Sequence, residues 1–154
     1  MLETDVLVKL SKAGLTLAVA ESCTGGRICD RITDVPGASG NLKGGIVAYS
    51  NDSKVKFLGV SHDTLKAHGA VSEECAKEMA VGVARAFNAD VGISVTGIAG
   101  PGGATPQKPV GLVFIGIAWK KEQAAFRYLL DGDRKSIKAQ ATEQALQLIM
   151  GFIP

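Results

Sequence analysis

LTLAVAES (residues 15–22) carries an apolar or small side chain at nearly every position. A strand with one wet face alternates apolar and polar. A run apolar on both faces belongs to a strand covered on both sides. Ahead of it, Leu2, Val6, Leu10 and Ala13 recur at helical spacing, and Gly14 stops the pattern. Behind it, TGGRICDRIT (24–33) reads as a second helix with Thr24 as its cap. This helix–strand–helix opening predicts an α/β fold.

The remaining pattern extends the same plan. DVPGASGN (34–41) is a loop by its Pro, Gly and Asn content. GGIVAYS (44–50) reads as a second strand, and Asn51 as the cap of a short helix ending at Gly59. SHDTLKAHG (61–69) is another short helix. Ser72, with Glu73 and Glu74 in the first turn, opens a longer one with Ala76, Met79, Ala80, Val83 and Phe87 in a stripe. DVGISVTG (90–97) is a third buried strand. VGLVFIGIAWK (110–120) and QAAFRYLLD (123–131) form a hairpin turning around Lys121. A last helix follows Gly132-Asp133-Arg134, with Ile137, Ala141, Ala145, Leu148 and Phe152 on one face. Together these predict a single three-layer α/β/α domain over residues 1–154 with a mixed sheet.

Composition narrows the function classes. Of 154 residues, 46% are hydrophobic and 21% charged, the profile of a globular domain. A net charge of +2, without basic runs interleaved with aromatics, argues against nucleic acid as partner. No apolar stretch nears the ~20 residues that span a bilayer, and MLETDVLVKL lacks the marks of a signal peptide. Three cysteines without CxxC spacing and two histidines point to reduced thiols and no metal site. A cytoplasmic location, with no membrane partner, is the expectation.

Of nineteen glycines, eight fall in three clusters, at 25–26, 44–45 and 97–103. In open α/β sheets, ligands bind beyond the carboxyl ends of the strands. AESCTGG (20–26), YSNDSK (49–54) and TGIAGPGG (96–103) all sit where a strand meets glycine or a helix start. Free backbone N–H groups there, with Arg134, suit a phosphate or an oxyanion. Neither phosphate fingerprint fits. TGGR lacks the spacing and lysine of a P-loop, and GIAGPGG runs into ATPQKP, not a helix. Each glycine turn alone is as well explained by chain geometry.

Lys54 falls in the first turn of its helix, where the dipole disfavours a cation, and Lys56 lies close by. A lysine held neutral can serve as a general base for a serine. On local sequence alone, a solvated surface lysine is the stronger reading. Tyr49 ends a strand, where its hydroxyl can orient a ligand or simply lie half-buried. Ser22 and Cys23 in AESCTGG are both candidate nucleophiles, but nothing near Cys23 in sequence lowers its pKa.

AESCTGG, PGASG (36–40), GGIVAYSNDSK (44–54), GAVS (69–72), SVTGIAGPGG (94–103), KPVG (108–111) and GDR (132–134) occur in that order. In this the chain resembles the CinA C-terminal family, the nicotinamide mononucleotide amidohydrolases also called PncC, over nearly its whole length. Gln107 stands where the family often has an acid. The resemblance implies hydrolysis of the carboxamide of nicotinamide mononucleotide to nicotinic acid mononucleotide and ammonia, without metal or cofactor, in a homo-oligomer. It implies Ser39 as nucleophile, helped by Tyr49 and Lys54, with Arg134 and Ser22 in the pocket. Thr24, Gly25, Gly26, Thr96, Gly97, Gly100, Gly102 and Arg134 are expected to bind substrate.

Geometry pulls against one part of this. Ser39 precedes the second strand, whereas Tyr49 and Lys54 follow it, and about seven strand residues span roughly 23 Å. Ser39 has to fold back over the pocket or come from a neighbouring subunit. Ser22, at a strand's carboxyl end, needs no such device. Two other readings stand beside the enzyme: a non-catalytic binder of phosphorylated pyridine nucleotides with a regulatory role, and an oligomeric module whose glycines serve only packing.

Overall fold

The structure, a computed structural model, describes residues 1–154. Five strands form one mixed sheet. β1 (Leu17–Glu21) lies between β2 (Leu42–Val47) and β3 (Val91–Gly97), parallel to both. β4 (Leu112–Trp119) runs antiparallel to β3, and β5 (Glu122–Leu129) antiparallel to β4. The order across the sheet is therefore β2-β1-β3-β4-β5. All five residues of β1 are buried, as its two-sided apolar pattern requires.

Successive strand residues face opposite ways, so the sheet has two covered faces. Val19, Ile93 and Ile115 point to one face. There they meet Val6 and Leu10 of α1 (Leu2–Ala13), Ile28 of α2 (Arg27–Thr33), and Ile137 and Leu146 of α6 (Arg134–Phe152). Ala18 and Ala20 point to the other face. There they meet Leu58 of α3 (Asn51–Leu58) and Met79 and Val83 of α5 (Glu73–Phe87), and the short α4 (His62–His68) packs on α5. Each large aliphatic side chain buried this way contributes about 1.5–3 kcal/mol. The second face is built from small residues because α5 rides close to the sheet. A Cβ on Gly92 or Gly116 would collide with the carbonyl of Ala80 or Ala76 on that helix.

Three boundaries differ from expectation, and each difference bears on the site. β2 covers residues 42–47, not 44–50, so Tyr49 lies beyond the strand. Ser50, not Asn51, caps α3, its hydroxyl accepting from the Ser53 N–H. α2 starts at Arg27, and Thr24 does not cap it. The Glu21 carboxylate accepts from the Ile28 and Cys29 N–H groups instead. The last helix buries Thr142, Leu146 and Ile149 with Ile137, Ala141 and Ala145, while Leu148 and Phe152 are only partly buried. The hairpin turns at Lys120–Lys121, as expected.

Candidate active site

The parallel strands β1 and β3 end side by side, with Glu21 opposite Val95. Beyond their carboxyl ends lies a cavity of about 250 Å³. Ser22 enters it directly from β1. Thr96 and Gly97 enter from β3, and Gly100, Gly102 and Gly103 from the loop that follows. Tyr49 comes from the β2–α3 connection, Lys54 from the first turn of α3, and Arg134 from the first residue of α6. A larger hollow of about 670 Å³ lies at the other end of the sheet, around Asn88 and the Trp119–Glu122 turn. It holds no serine, threonine or cysteine, so the candidate nucleophile Ser22 belongs to the smaller cavity.

Lys54 is the centre of that cavity. Only 2% of its surface is exposed, against the reading of a solvated lysine. Its Nζ donates to Ser22 Oγ at 2.9 Å, to the Ala48 carbonyl at 3.0 Å and to the Tyr49 carbonyl at 3.3 Å. No carboxylate lines the cavity. Burial therefore pushes the Lys54 ammonium below its ordinary pKa, opposed by the nearby thiols of Cys75 and Cys23. The folded chain holds a lysine whose charged form is disfavoured by burial, within hydrogen-bonding reach of a serine.

The cavity wall is tied together by Arg134. Its guanidinium donates to the Gly100 carbonyl at 2.7 Å and to the Tyr49 hydroxyl at 2.9 Å. Thr96 Oγ1 donates to the Ala70 carbonyl, fixing the turn before α5 against β3. Cys23, Gly102 and Gly103 line the space, and their backbone N–H groups donate to no backbone acceptor. They are available to a developing negative charge.

Ser22, Tyr49, Lys54, Thr96, Gly97, Gly100, Gly102 and Arg134 are thus brought together. Ser39 is not. It is exposed, in a 3₁₀ turn (Ala38–Gly40) that precedes β2, at the opposite end of that strand from Lys54. Thr24, Gly25 and Gly26 also fall outside the cavity lining. Thr24 is fully buried, its hydroxyl without a partner, and the start of α2 is already occupied by Glu21. The expected anion cradle at this turn is filled from within the chain. Cys23 lines the cavity, yet burial raises its thiol to about 11, which leaves little thiolate near neutral pH.

A family model described as "CinA C-terminal domain" matches residues 1–153. The chain belongs to this family. Among curated members, a putative competence-damage inducible protein of Caldicellulosiruptor saccharolyticus is 53% identical over 148 residues, covering 96% of this chain and 36% of its own length. A CinA-like protein of Thermotoga maritima is 50% identical over 150 residues, covering 97% and 36%. This chain therefore spans about a third of those relatives. Among solved CinA-type structures, the competence damage-inducible protein A of Klebsiella pneumoniae superposes with a TM-score of 0.95 at 32% identity, covering 98% of this chain and 94% of that one. A competence/damage inducible protein of Agrobacterium tumefaciens gives 0.94 at 36% identity, covering 97% and 92%.

Several residues of this CinA-family site were not singled out from sequence. Ala70 and Val71 line the cavity, and Ala70 receives Thr96. The signal was GAVS, a glycine-led turn between two helices. Glu21, the acceptor at the start of α2, is another. An acid closing a buried strand one turn before a helix is the sign of a carboxylate that caps it. No helix of the chain is long and apolar enough to cross a membrane.

Proposed function

We propose that this chain hydrolyses the carboxamide of nicotinamide mononucleotide, giving nicotinic acid mononucleotide and ammonia. The observation that carries the reading is the buried Lys54 Nζ, 2.9 Å from Ser22 Oγ, with no carboxylate beside it. In the proposed reaction Ser22 Oγ attacks the carboxamide carbon, and neutral Lys54 takes the hydroxyl proton. The N–H groups of Cys23, Gly102 and Gly103 receive the oxyanion, each worth about 3 kcal/mol when so placed. Lys54 returns the proton to the departing nitrogen, and ammonia leaves. Water then attacks the acyl-serine through the same base and releases the acid. Arg134 holds Tyr49 and the glycine loop in place and adds positive charge for an anionic substrate.

The resemblance implies Ser39 as nucleophile, and the open edge of β2 supports a second reading that includes it. β2 is an outer strand with no partner on one side, and Val47, Tyr49 and Phe57 are exposed nearby. In two copies paired antiparallel through β2, the turn holding Ser39 of one lies at the same end as the β2–α3 connection of the other. Ser39 then stands at the neighbour's cavity, in a homo-oligomer. Ammonia release from nicotinamide mononucleotide by Ser22→Ala and Ser39→Ala proteins separates the readings. Loss in the first alone supports the reaction within one chain. Loss in the second, restored by mixing it with inactive Lys54→Met protein, supports the shared site. Full turnover in both refutes the serine mechanism.

A further inference from the structure

α6 carries a second cation one turn beyond Arg134. Residues four apart share a helix face, and Lys138 continues the side of α6 that looks onto the Ser22–Gly26 turn. Its Nζ lies 3.8 Å from where a side chain on Gly25 would begin. Lys138 is half-buried, and its ammonium has no hydrogen-bond or ion-pair partner in the chain. A partly desolvated ammonium without an acceptor is costly to keep. Its charge reaches the thiol of Cys23, which lines the cavity. Arg134, by contrast, already commits donors to Gly100 and Tyr49. The cavity, at about 250 Å³, has room for the reacting ring end of a nucleotide and little more.

We propose that Lys138 recognises the phosphate monoester of the substrate, holding it above the Gly25 turn, while Arg134 keeps the cavity wall in place. This rests on the nucleotide reading above and assigns its phosphate to a residue outside the cavity lining. Gly25 leaves the space beneath the ammonium open to a phosphate oxygen. The competing role is a purely structural one, in which Lys138 packs against the Gly25 turn and binds nothing.

The test is calorimetric titration of the full chain with nicotinamide mononucleotide, and with inorganic phosphate as competitor, for wild type, Lys138→Ala and Lys138→Arg. Ammonia release and Tm without ligand are read alongside. Loss of one charge-assisted hydrogen bond weakens mononucleotide binding roughly 10- to 100-fold in Lys138→Ala. Lys138→Arg retains most of the affinity, and phosphate competes only where the cation is present. Unchanged binding by Lys138→Ala overturns the proposal, as does a lowered Tm with unchanged affinity. Phosphate-dependent binding without ammonia release sinks the amidohydrolase reading and leaves the phosphate site standing. Ammonia release with normal binding by Lys138→Ala does the opposite. No binding by wild type overturns both.

Discussion

Lys54→Met separates a catalytic lysine from a structural one. The substitution removes a buried amine and leaves Ser22 Oγ and the carbonyls of Ala48 and Tyr49 without its hydrogen bonds. Each lost bond costs about 1 kcal/mol. Against that, a buried charged group carries a desolvation penalty of several kcal/mol, which methionine relieves. The two nearly cancel, so stability measured by urea unfolding near neutral pH changes by less than about 2 kcal/mol. Activity has no such compensation. Removing a positioned general base lowers ammonia release by roughly 10²- to 10⁴-fold. The sign of the pH dependence follows from the lowered pKa. Below the folded pKa the lysine is charged in both states. Between the folded pKa and the ordinary 10.5, the unfolded chain holds a proton that the folded chain has lost. Stability from this group therefore rises with pH across that window and is lost again as pH falls through the folded value. The methionine variant lacks this alkaline rise. Activity within tenfold of wild type refutes the base assignment. A stability loss well beyond about 2 kcal/mol contradicts the cancellation of lost hydrogen bonds by relieved desolvation.

Other consequences are equally open to test. Glu21→Gln puts an amide against the Ile28 or Cys29 N–H and costs about 1–3 kcal/mol in urea unfolding; no loss of stability contradicts the capping role. Gly82→Ala gains about 1 kcal/mol by helix propensity. A Cβ there meets the Leu58 carbonyl of α3, so the measured outcome is a lowered Tm. Cys23 and Cys75 are buried with thiols raised to about 11, and Cys29 to about 12. Alkylation near neutral pH is accordingly slow in the native chain and fast in urea; rapid native labelling contradicts this burial.

The layered fold was legible because its signals are long. LTLAVAES and DVGISVTG could only be two-sided strands, and they stand at the centre of the sheet. The α1 and α5 stripes and the glycines that end helices were equally readable. The site was legible in parts. The carboxyl-end rule anticipates that Ser22, Thr96 and the glycine loop meet in one cavity, because parallel strands share one end. The burial of Lys54 was not readable locally. It comes from α5 and β1 closing over α3, contacts separated by tens of residues. The same holds for Glu21, whose two N–H donors lie seven and eight residues on and become neighbours only through the Ser22–Gly26 turn. Ser39 shows the converse. Its short motif names a role, while β2 carries it to the far end of the sheet from Lys54.

The claim at the centre is that the Ser22–Lys54 cavity is an amide-hydrolysing site for nicotinamide mononucleotide. Proton NMR of purified chain with that nucleotide, read with an ammonia assay, tests it most directly. The account predicts conversion of the nicotinamide ring signals to those of nicotinic acid mononucleotide, one ammonia per nucleotide converted, and no conversion by Lys54→Met. Nucleotide that binds but stays unchanged contradicts it.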